Sequence, residues 1–457
     1  MEQRQIISFF QIGIVFTIPI FSVLYLAITM PVSYDEACTY LLFSCKGILH
    51  TITHYPAPNN HVLYSIFTNI SYKLNFLKPL FALRLPAIIF NITTVFVVFY
   101  KSKNRFGYNF AICLTAISSV LFMNLYYGYM ARGYGFYNLM FIIAFFASYD
   151  IIKKQKLNRN WNVFSIASIL GFCTIPSFLY PFLILNAWIF LFDYKMIFKQ
   201  IGFGLLVFSI VYLFYLQIIL FEGIQAITKN QYVKSEPFVL VLRALPGFGV
   251  KMLNEIIGIH YIMIAALLLY VGYRFYKDNN RFYIKAAVLF ATMPFGLLSI
   301  QSVIPYVRIF NFYGFLIVFF VLIGFQSHIS KAKPTLLYVT LAIFQLFMVF
   351  NFNYKINEFE NKDLAANITA SEIISKIIGN KKYFFNKVLL INNFRFELQT
   401  KGYSNAVAIE NEYLQVSADT ILNYDYVILS IDSDSSKLSK PIFSTPYYNV
   451  YSPVIKK

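Results

Sequence analysis

Two adjacent acids follow the first long apolar segment of the chain, in the run Ser33-Tyr34-Asp35-Glu36. A carboxylate at this position could take a proton from an attacking hydroxyl group, which is the role of a general base. The same run is also typical of a helix start, with Ser33 as the N-cap and both acids favoured by the positive end of the helix dipole. On position alone, the two interpretations are equally supported.

A second polar run, His54-Tyr55-Pro56-Ala57-Pro58-Asn59-Asn60-His61, surrounds a proline-rich turn. Its two histidines could ligate a divalent metal, but a single pair of histidines is a weak metal signature. Hydrogen bonding within the loop or to a sugar is favoured instead. We therefore predict substrate-binding roles for His54, Asn60 and His61, and no other feature of the sequence implies a cofactor.

Three arginines stand at the expected outer ends of apolar segments: Arg132 before Gly133-Tyr134, Arg308 after Pro305-Tyr306-Val307, and Arg84 in Leu83-Arg84-Leu85-Pro86. Each could belong to an interfacial aromatic belt, with its guanidinium reaching the lipid headgroups. Alternatively, a guanidinium matches phosphate oxygens with paired hydrogen bonds and would clamp a phosphate. Arg132 and Arg308 fit both interpretations equally, whereas a structural role is favoured for Arg84.

The elements that position these residues must lie in a membrane. Of 457 residues, 58% are hydrophobic and 13% are charged, whereas a soluble domain carries roughly 25% charged residues. Eleven apolar stretches approach the ~20 residues that a helix needs to cross a bilayer. They cover residues 8–30, 80–100, 107–126, 133–150, 162–178, 180–194, 201–221, 259–273, 285–304, 309–327 and 335–353.

The connecting segments alternate in basicity, which predicts their sidedness. Those assigned to the inner side carry 16 Lys and Arg against four Asp and Glu. The positive-inside rule then places the N-terminus in the cytoplasm and residues from 354 onward outside. The net charge of +18 thus reflects topology and the lipid bilayer, and not a nucleic-acid partner.

Two outer segments, residues 31–79 and 222–258, are long, and long ordered loops are usually functional. The first contains amphipathic helical patterns from Asp35 to Leu49 and from Val62 to Leu74. Its Cys38 and Cys45 could pair, but two free thiols are favoured because a helical bundle needs no covalent link. The first span has no cleavage site after it and is predicted to be an uncleaved anchor.

Residues 354–457 change to a mixed polar composition and predict a small extracytoplasmic α/β domain. A helical run from Ala370 to Ile378 stops at Gly379. Short apolar runs predict strands at Val388–Ile391, Ala406–Ile409, Tyr426–Ile431 and near Tyr448–Tyr451. The fold class is therefore mainly α, with a polytopic membrane bundle over residues 1–353. The domain that follows it in the chain is expected to pack against the bundle or to guide the acceptor.

The order of these motifs resembles that of the GT-C membrane glycosyltransferases, in particular glycosyltransferase family 39. That family includes protein O-mannosyltransferases and bacterial lipid A aminoarabinose transferases. The resemblance covers roughly residues 1–330: an Asp-Glu pair after the first span, a His/Pro/Asn-rich stretch, Leu-Arg-Leu-Pro, Ala-Arg-Gly-Tyr and a late Pro-x-x-Arg.

The resemblance implies inverting transfer of a sugar from a polyprenyl-phosphate carrier to a glycan, lipid or protein acceptor on the outer face. Asp35 would be the general base and Glu36 its support. Arg132 and Arg308, with Arg84 as a third candidate, would hold the donor phosphate, and Tyr134 would contact substrate. The family often has a further acid in a later outer loop, and Glu222, Glu236 and Glu255 are equal candidates here.

A transporter or flippase for lipid-linked sugars is the main alternative, and a glycan polymerase is another. Ion-coupled transporters place carboxylates near the bilayer midplane, whereas every Asp and Glu here falls in a loop, a span end or the tail. That distribution disfavours coupled transport. The abundance of Lys, Asn, Ile, Phe and Tyr is typical of an AT-rich bacterial genome, which suggests a bacterial inner membrane.

Overall fold

A computed structural model describes residues 2–452 of the chain, except 57–58, 75, 229–232, 234, 357–361, 387, 404, 411–422, 432, 434–437 and 439. Helices dominate up to residue 355. In chain order they are α1 (Glu2–Thr29), α2 (Tyr34–Thr39), α3 (Ile48–Thr53), α4 (Val62–Tyr72), α5 (Pro79–Phe106), α6 (Tyr108–Ser119), α7 (Phe122–Tyr129), α8 (Tyr134–Ile152), α9 (Leu157–Thr174), α10 (Leu179–Phe192), α11 (Ile197–Glu222), α12 (Gln225–Thr228), α13 (Phe238–Ile257), α14 (Tyr261–Lys277), α15 (Arg281–Gln301), α16 (Tyr313–Gly324), α17 (Gln326–Lys331) and α18 (Pro334–Lys355).

The outer surface of this bundle is apolar, as a lipid-facing surface must be. Phe198 is 85% exposed and Ile300 is 81% exposed, and many other large apolar side chains share this exposure. The interior is packed with aromatic rings, for example Trp188 stacked on Phe145 with ring centroids 5.1 Å apart. A chain that buries aromatic side chains and also exposes them in number is built for lipid on its outside.

Each of the eleven predicted apolar segments contains a helix, but not every one of these helices is long and apolar enough to cross a bilayer by itself. In the described residues, five helices are long and apolar enough to cross a bilayer, or eight if three bent helix pairs each count as one span. The segment predicted over 107–126 is one such pair, because α6 and α7 meet at an angle of 68°. The predicted membrane bundle with a small C-terminal sheet domain is confirmed.

The first outer segment is more broken than its sequence pattern predicts. One amphipathic helix was expected from Asp35 to Leu49, but α2 passes into a π-helical turn, Tyr40–Ser44, and α3 begins only at Ile48. Gly47 has φ of +93°, a left-handed conformation that L-residues avoid, and it separates the two pieces. The second predicted helix of this segment is confirmed by α4.

The C-terminal domain contains α19 (Lys362–Ile377), β1 (Lys382–Phe385), α20 (Val388–Thr400), β2 (Val407–Glu410), β3 (Tyr426–Ser430), β4 (Phe443–Ser444) and β5 (Tyr448–Tyr451). The sheet order is β2-β1-β3-β5-β4. β1 pairs in parallel with β2 and β3, whereas β5 is antiparallel to β3 and β4. This is an α/β arrangement, as predicted.

The predicted strand at Val388–Ile391 is wrong, because these residues open α20. A short apolar run cannot be assigned to a strand or to a buried helix from periodicity alone. Here Ile391, Phe394 and Leu398 are buried at helical spacing in the core of the domain. The prediction also missed β1 and the two-residue β4.

Candidate active site

The Asp-Glu pair opens α2, which leaves the first membrane helix at a sharp angle. Residues 34–44 are bent by 76° from residues 15–29, so the pair lies where the chain turns away from the axis of the first apolar helix. A complete capping box fixes this start: Ser33 Oγ accepts from the Glu36 backbone N–H at 3.2 Å, and the Ser33 N–H donates to Glu36 Oε2 at 3.0 Å. The helix start predicted at Ser33 is confirmed.

Glu36 is buried and fully occupied by protein donors. Arg84 donates to both carboxylate oxygens at 2.8 and 2.7 Å, and the Ala131 backbone N–H donates to Oε1 at 2.8 Å. Both side chains of the Glu36–Arg84 pair are 0% exposed. Burial alone would raise the pKa of Glu36, but the Arg84 guanidinium and the N–H groups of Ala131 and Ser33 hold it below its usual value.

Arg84 has no N–H group left for a ligand. Besides its two bonds to Glu36, it donates to the carbonyl oxygens of Ala27, Met30 and Pro31 at 3.0, 2.7 and 2.8 Å. All five guanidinium hydrogens are therefore used. These carbonyls lie at the C-terminal end of α1 and just after it. In the structure Arg84 thus joins the end of the first apolar helix to the Asp-Glu turn, which is the structural role favoured for it from the sequence, and none of its N–H groups is left for the donor phosphate that was also predicted for it.

Asp35 faces two arginines. Its Oδ2 lies 3.6 Å from Arg132 Nε and 3.4 Å from an Arg308 terminal nitrogen. Its side chain is 26% exposed, so the carboxylate is reachable from outside. Burial alone would raise the pKa of Asp35, but the two guanidinium groups together hold it below its usual value. Residues 35, 132 and 308 come from three distant parts of the sequence and meet at this point.

Arg132 is 2% exposed and is held from several sides. One terminal nitrogen donates to the Asn59 carbonyl at 2.9 Å and to Thr39 Oγ1 at 3.2 Å. The other lies 3.3 Å from His61 Nε2. Arg132 therefore connects α2, the His/Pro/Asn-rich run and the start of α8.

His61 is buried and holds its ring against the turn that precedes α8. Its Nδ1 accepts from the Gly133 backbone N–H at 2.8 Å. Burial and the charges of Arg132 and Arg308 hold the pKa of His61 well below its usual value, so the ring is neutral. A neutral ring that accepts at Nδ1 carries its proton on Nε2. The Nε2–H group and Arg132 are then two donors that lie close to each other.

Arg308 lies between two tyrosine rings at the other side of Asp35. Its guanidinium carbon is 4.6 Å from the Tyr306 ring centroid and 5.9 Å from that of Tyr134. Tyr134 also makes an edge contact with His61, with centroids 4.9 Å apart. The side chain of Arg308 is 20% exposed, so its position is set by stacking while part of it remains accessible.

His54 and His61 contact different residues, although both belong to the same polar run. Its Nδ1 lies 3.0 Å from Glu222 Oε1 at the end of α11, and the same oxygen accepts from the Tyr55 N–H at 2.6 Å. Among the three late acids that the sequence could not rank, Glu222 thus contacts the first outer segment. Glu255 pairs with Lys251, and the Glu236 backbone N–H donates to the Ser302 carbonyl at 2.9 Å.

Asn60 is 0% exposed and braces its own loop. Its Nδ2 donates to the Thr51 and His54 carbonyls at 2.9 and 3.0 Å, and its Oδ1 accepts from Ser65. It therefore joins α3, the loop and α4, and these hydrogen bonds stay within the first outer segment.

The two cysteines of the first outer segment, Cys38 and Cys45, are free thiols in the structure. Across the residues that the structure describes, no group of three or more His, Cys, Asp or Glu side chains is arranged to hold a metal ion.

Sequence reasoning missed the partners that complete the site: the Ala131 N–H on Glu36, and the Thr39 hydroxyl and Asn59 carbonyl on Arg132. One signal was present in the sequence. The consecutive residues Ala131 and Arg132 hold the consecutive acids Glu36 and Asp35. Any residue type can supply a backbone N–H or carbonyl group, so the residue types alone could not suggest these partners. Only the pairing of the Asp35-Glu36 dipeptide with the Ala131-Arg132 dipeptide could have done so.

No protein-family model and no curated protein matches this chain at the level of sequence. Solved structures of the ArnT protein from Cupriavidus metallidurans share its fold. The apo structure aligns with a TM-score of 0.62 over 99% of this chain and 98% of ArnT, at 10% identity. The structure bound to undecaprenyl phosphate aligns with a TM-score of 0.62 over 98% of each chain, at 12% identity. At these identities the likeness establishes the fold alone.

Proposed function

We propose that this protein is an inverting membrane glycosyltransferase that moves a sugar from a polyprenyl-phosphate donor to an acceptor on the outer face. The observation that carries this proposal is the meeting of an accessible carboxylate, Asp35, with two arginines at the mouth of the membrane bundle. The shared fold with ArnT, one structure of which holds undecaprenyl phosphate, supports a lipid-phosphate ligand.

The arginines would hold the phosphate of the donor. Two guanidinium groups supply the charge and the directed N–H groups that a leaving phosphate requires. The His61 Nε2–H would add a third donor, since it lies 3.3 Å from an Arg132 nitrogen. Two neighbouring donors repel each other unless an acceptor oxygen joins them, and a phosphate oxygen would supply that acceptor.

Asp35 would act as the base. An acceptor hydroxyl oxygen bonds to the anomeric carbon, while the carbon–oxygen bond to phosphate breaks and its electron pair leaves with the phosphate. The hydroxyl proton passes to the Asp35 carboxylate. The products are the glycosylated acceptor, the polyprenyl phosphate and a protonated Asp35, which returns its proton to solvent.

Inversion follows from the unequal roles of the two acids. A double displacement needs a second available carboxylate, but Glu36 is 0% exposed and bound by Arg84, Ala131 and Ser33. Asp35 is therefore the one acid of the pair that can reach a substrate, and it supports a single displacement.

Donor binding would also activate the base. In the structure both arginines face Asp35 Oδ2 and lower its pKa, which makes it a weak base. A phosphate that engages the same arginines offsets their charge, so the pKa of Asp35 rises when the donor is in place. The base would then be strong only in the loaded enzyme.

The test uses membranes that contain the wild-type protein or Asp35→Asn, together with a panel of radiolabelled polyprenyl-phosphate sugars. Wild type identifies the donor consumed, and the variant should transfer that sugar roughly 100-fold more slowly or worse. Asp278→Asn is the matched control, since Asp278 is 55% exposed in the α14–α15 loop and should not change transfer.

Binding of polyprenyl phosphate, followed by native mass spectrometry, separates chemistry from donor binding. Asp35→Asn should bind the lipid as well as wild type or better, because it removes an anion that competes for the arginines. Arg132→Ala and Arg308→Ala should bind it less well. Full sugar transfer by Asp35→Asn would refute the mechanism, and unimpaired lipid binding by both arginine variants would refute the phosphate site. A flippase would keep its translocation activity in Asp35→Asn.

A further inference from the structure

Helix α20 of the C-terminal domain lies directly against the segment that carries Asp35. Asn393 Nδ2 donates to the Val32 carbonyl at 2.9 Å, and Asn392 Nδ2 donates to Cys38 Sγ at 3.1 Å. Val32 lies three residues before Asp35 and Cys38 three residues after it. The two adjacent asparagines therefore contact both flanks of the candidate base.

An aromatic contact extends this interface. Phe396, 2% exposed, packs its ring on Tyr40 with centroids 5.0 Å apart and an interplanar angle of 81°. Phe396 joins a cluster whose other buried members, such as Ala37 and Leu83, belong to the membrane part of the chain. Asn393 itself is 0% exposed, so its bond to Val32 is shielded from water.

The position of α2 must come from outside α2. It has six residues, and a helix of that length is not stable alone. Glu36 fixes the inner side of its first turn through Arg84. On the side of α20, the supports are the hydrogen bonds from Asn392 and Asn393 and the ring contact from Phe396.

We propose that α20 is a positioning element of the active site and that Asn393 is its principal positioning residue. This inference rests on the proposed function, because it assigns α20 the task of holding Asp35 between Arg132 and Arg308. The C-terminal domain is then part of the catalytic unit. Loss of the Asn393 bond lets the Val32–Asp35 turn shift, and a displacement of about 1 Å at a reacting group can cost 100-fold in rate.

The central test compares Asn393→Ala with Arg395→Ala in the same helix. Arg395 is exposed and bonds to Ala408 within its own domain, so its variant should match wild type. For Asn393→Ala we expect kcat to fall by about tenfold or more, with KM for the polyprenyl donor unchanged. The acid limb of the kcat/KM profile should also move to higher pH, because a displaced Asp35 is less influenced by its two arginines.

A purely structural role would not produce that pattern. Destabilisation lowers the amount of folded enzyme and leaves the pH profile and KM of the remainder unchanged. A wild-type kcat and pH profile in Asn393→Ala would overturn the proposal, and so would a fall in kcat without any movement of the acid limb.

Docking of α20 is checked separately by a disulfide. In the full-length chain, Asn392→Cys places a second thiol next to Cys38, and mild oxidation should join them, as detected by mass spectrometry of unreduced peptides. Asn392→Cys with Cys38→Ser is the control and should form no such bridge. Absence of the bridge in the first variant would overturn the docking and the proposal with it. Full transfer by Asp35→Asn would instead refute the proposed function, whatever the disulfide shows.

Discussion

Asp35 and Glu36 are neighbours with opposite surroundings. Consecutive residues of a helix point about 100° apart, so one carboxylate of α2 faces the bundle and the other faces the mouth. Glu36 is enclosed by Arg84 and backbone donors, whereas Asp35 stays partly open between Arg132 and Arg308. The resemblance had already implied Asp35 as the base and Glu36 as its support, and these different surroundings supply a physical reason for that proposed division.

The pH dependence of transfer should reflect the effect of the two neighbouring arginines on the pKa of Asp35. The pKa of Asp35 lies below the usual 3.8, so its base form persists on acidification and is lost only as pH falls through this depressed pKa. We expect the acid limb of kcat/KM, which reflects the free enzyme, to lie below pH 3.8. Arg308→Ala should move it to higher pH, because one of the two stabilising charges is lost.

Arg243→Ala is the control for this shift, since Arg243 is an exposed residue of α13 and the charges that lower the pKa of Asp35 are those of Arg132 and Arg308. Each sample is returned to neutral pH and assayed again, so that irreversible unfolding is distinguished from titration. An acid limb that stays in place in Arg308→Ala would show that the arginine does not act on the base.

The buried pair of Glu36 and Arg84 should dominate local stability. Removing one partner of a buried ion pair leaves an uncompensated charge and costs about 3–5 kcal/mol. Glu36→Gln should therefore lower the free energy of unfolding by about that amount, measured by denaturant titration in detergent. The folded pKa of Glu36 is lowered, so its contribution is present at neutral pH and is lost as pH falls through that pKa.

Glu397→Gln serves as the surface comparison, because Glu397 of α20 pairs with Lys401, the residue just after that helix, and such pairs contribute about 0.5 kcal/mol or less. The double variant Glu36→Gln with Arg84→Leu should recover part of the lost stability, since no charge is then left unpaired. Strictly additive losses would show that the two side chains do not depend on each other.

At the scale of elements, long apolar segments were predictable and short ones were not. All eleven predicted stretches contain helices because lipid demands continuous apolar sequence and internal hydrogen bonding. The break between α6 and α7 and the interruption at Gly47 were missed, since both depend on what the chain packs against. The residues Val388–Ile391 were assigned to a strand because four apolar residues fit either structure.

The site, like the helices and strands, could be predicted only in part. Residue types and their order indicated Asp35, Arg132 and Arg308, which the fold brings together. They could not show that Arg84 is saturated, because its partners are three backbone carbonyls at the end of α1. Nor could they show that His54 turns to Glu222, since that contact joins residues 168 positions apart.

At the scale of the whole molecule, the candidate site and the C-terminal domain share one face. The contacts of α20 with Val32 and Cys38 place them together. Helix α14 has 17 residues and is about 25 Å long. The basicity of the loops predicts that this shared face is the outer one and that the α14–α15 loop lies in the cytoplasm.

Sidedness can be tested with single exposed lysines. Lys381→Cys in the C-terminal domain should react with a membrane-impermeant maleimide in intact cells, whereas Lys277→Cys should react only after permeabilisation. Both lysines are exposed, so accessibility in the folded protein is matched. The wild-type chain gives the background from its four cysteines. The reverse labelling pattern would place the candidate site in the cytoplasm and exclude an extracytoplasmic acceptor.

The closed hydrogen-bond set of Glu36 and Arg84 also constrains how this sequence can diverge. A change at either position passes through an intermediate with a buried, unpaired charge, and most such intermediates would not fold well enough to persist. Positions 36 and 84 should therefore be retained together or replaced together among proteins that descend from this one. Asp35 is 26% exposed, and its contacts with Arg132 and Arg308, at 3.6 and 3.4 Å, are longer than those of Glu36. Position 35 would therefore be held mainly by its chemistry and could be lost alone once the transfer reaction is no longer needed.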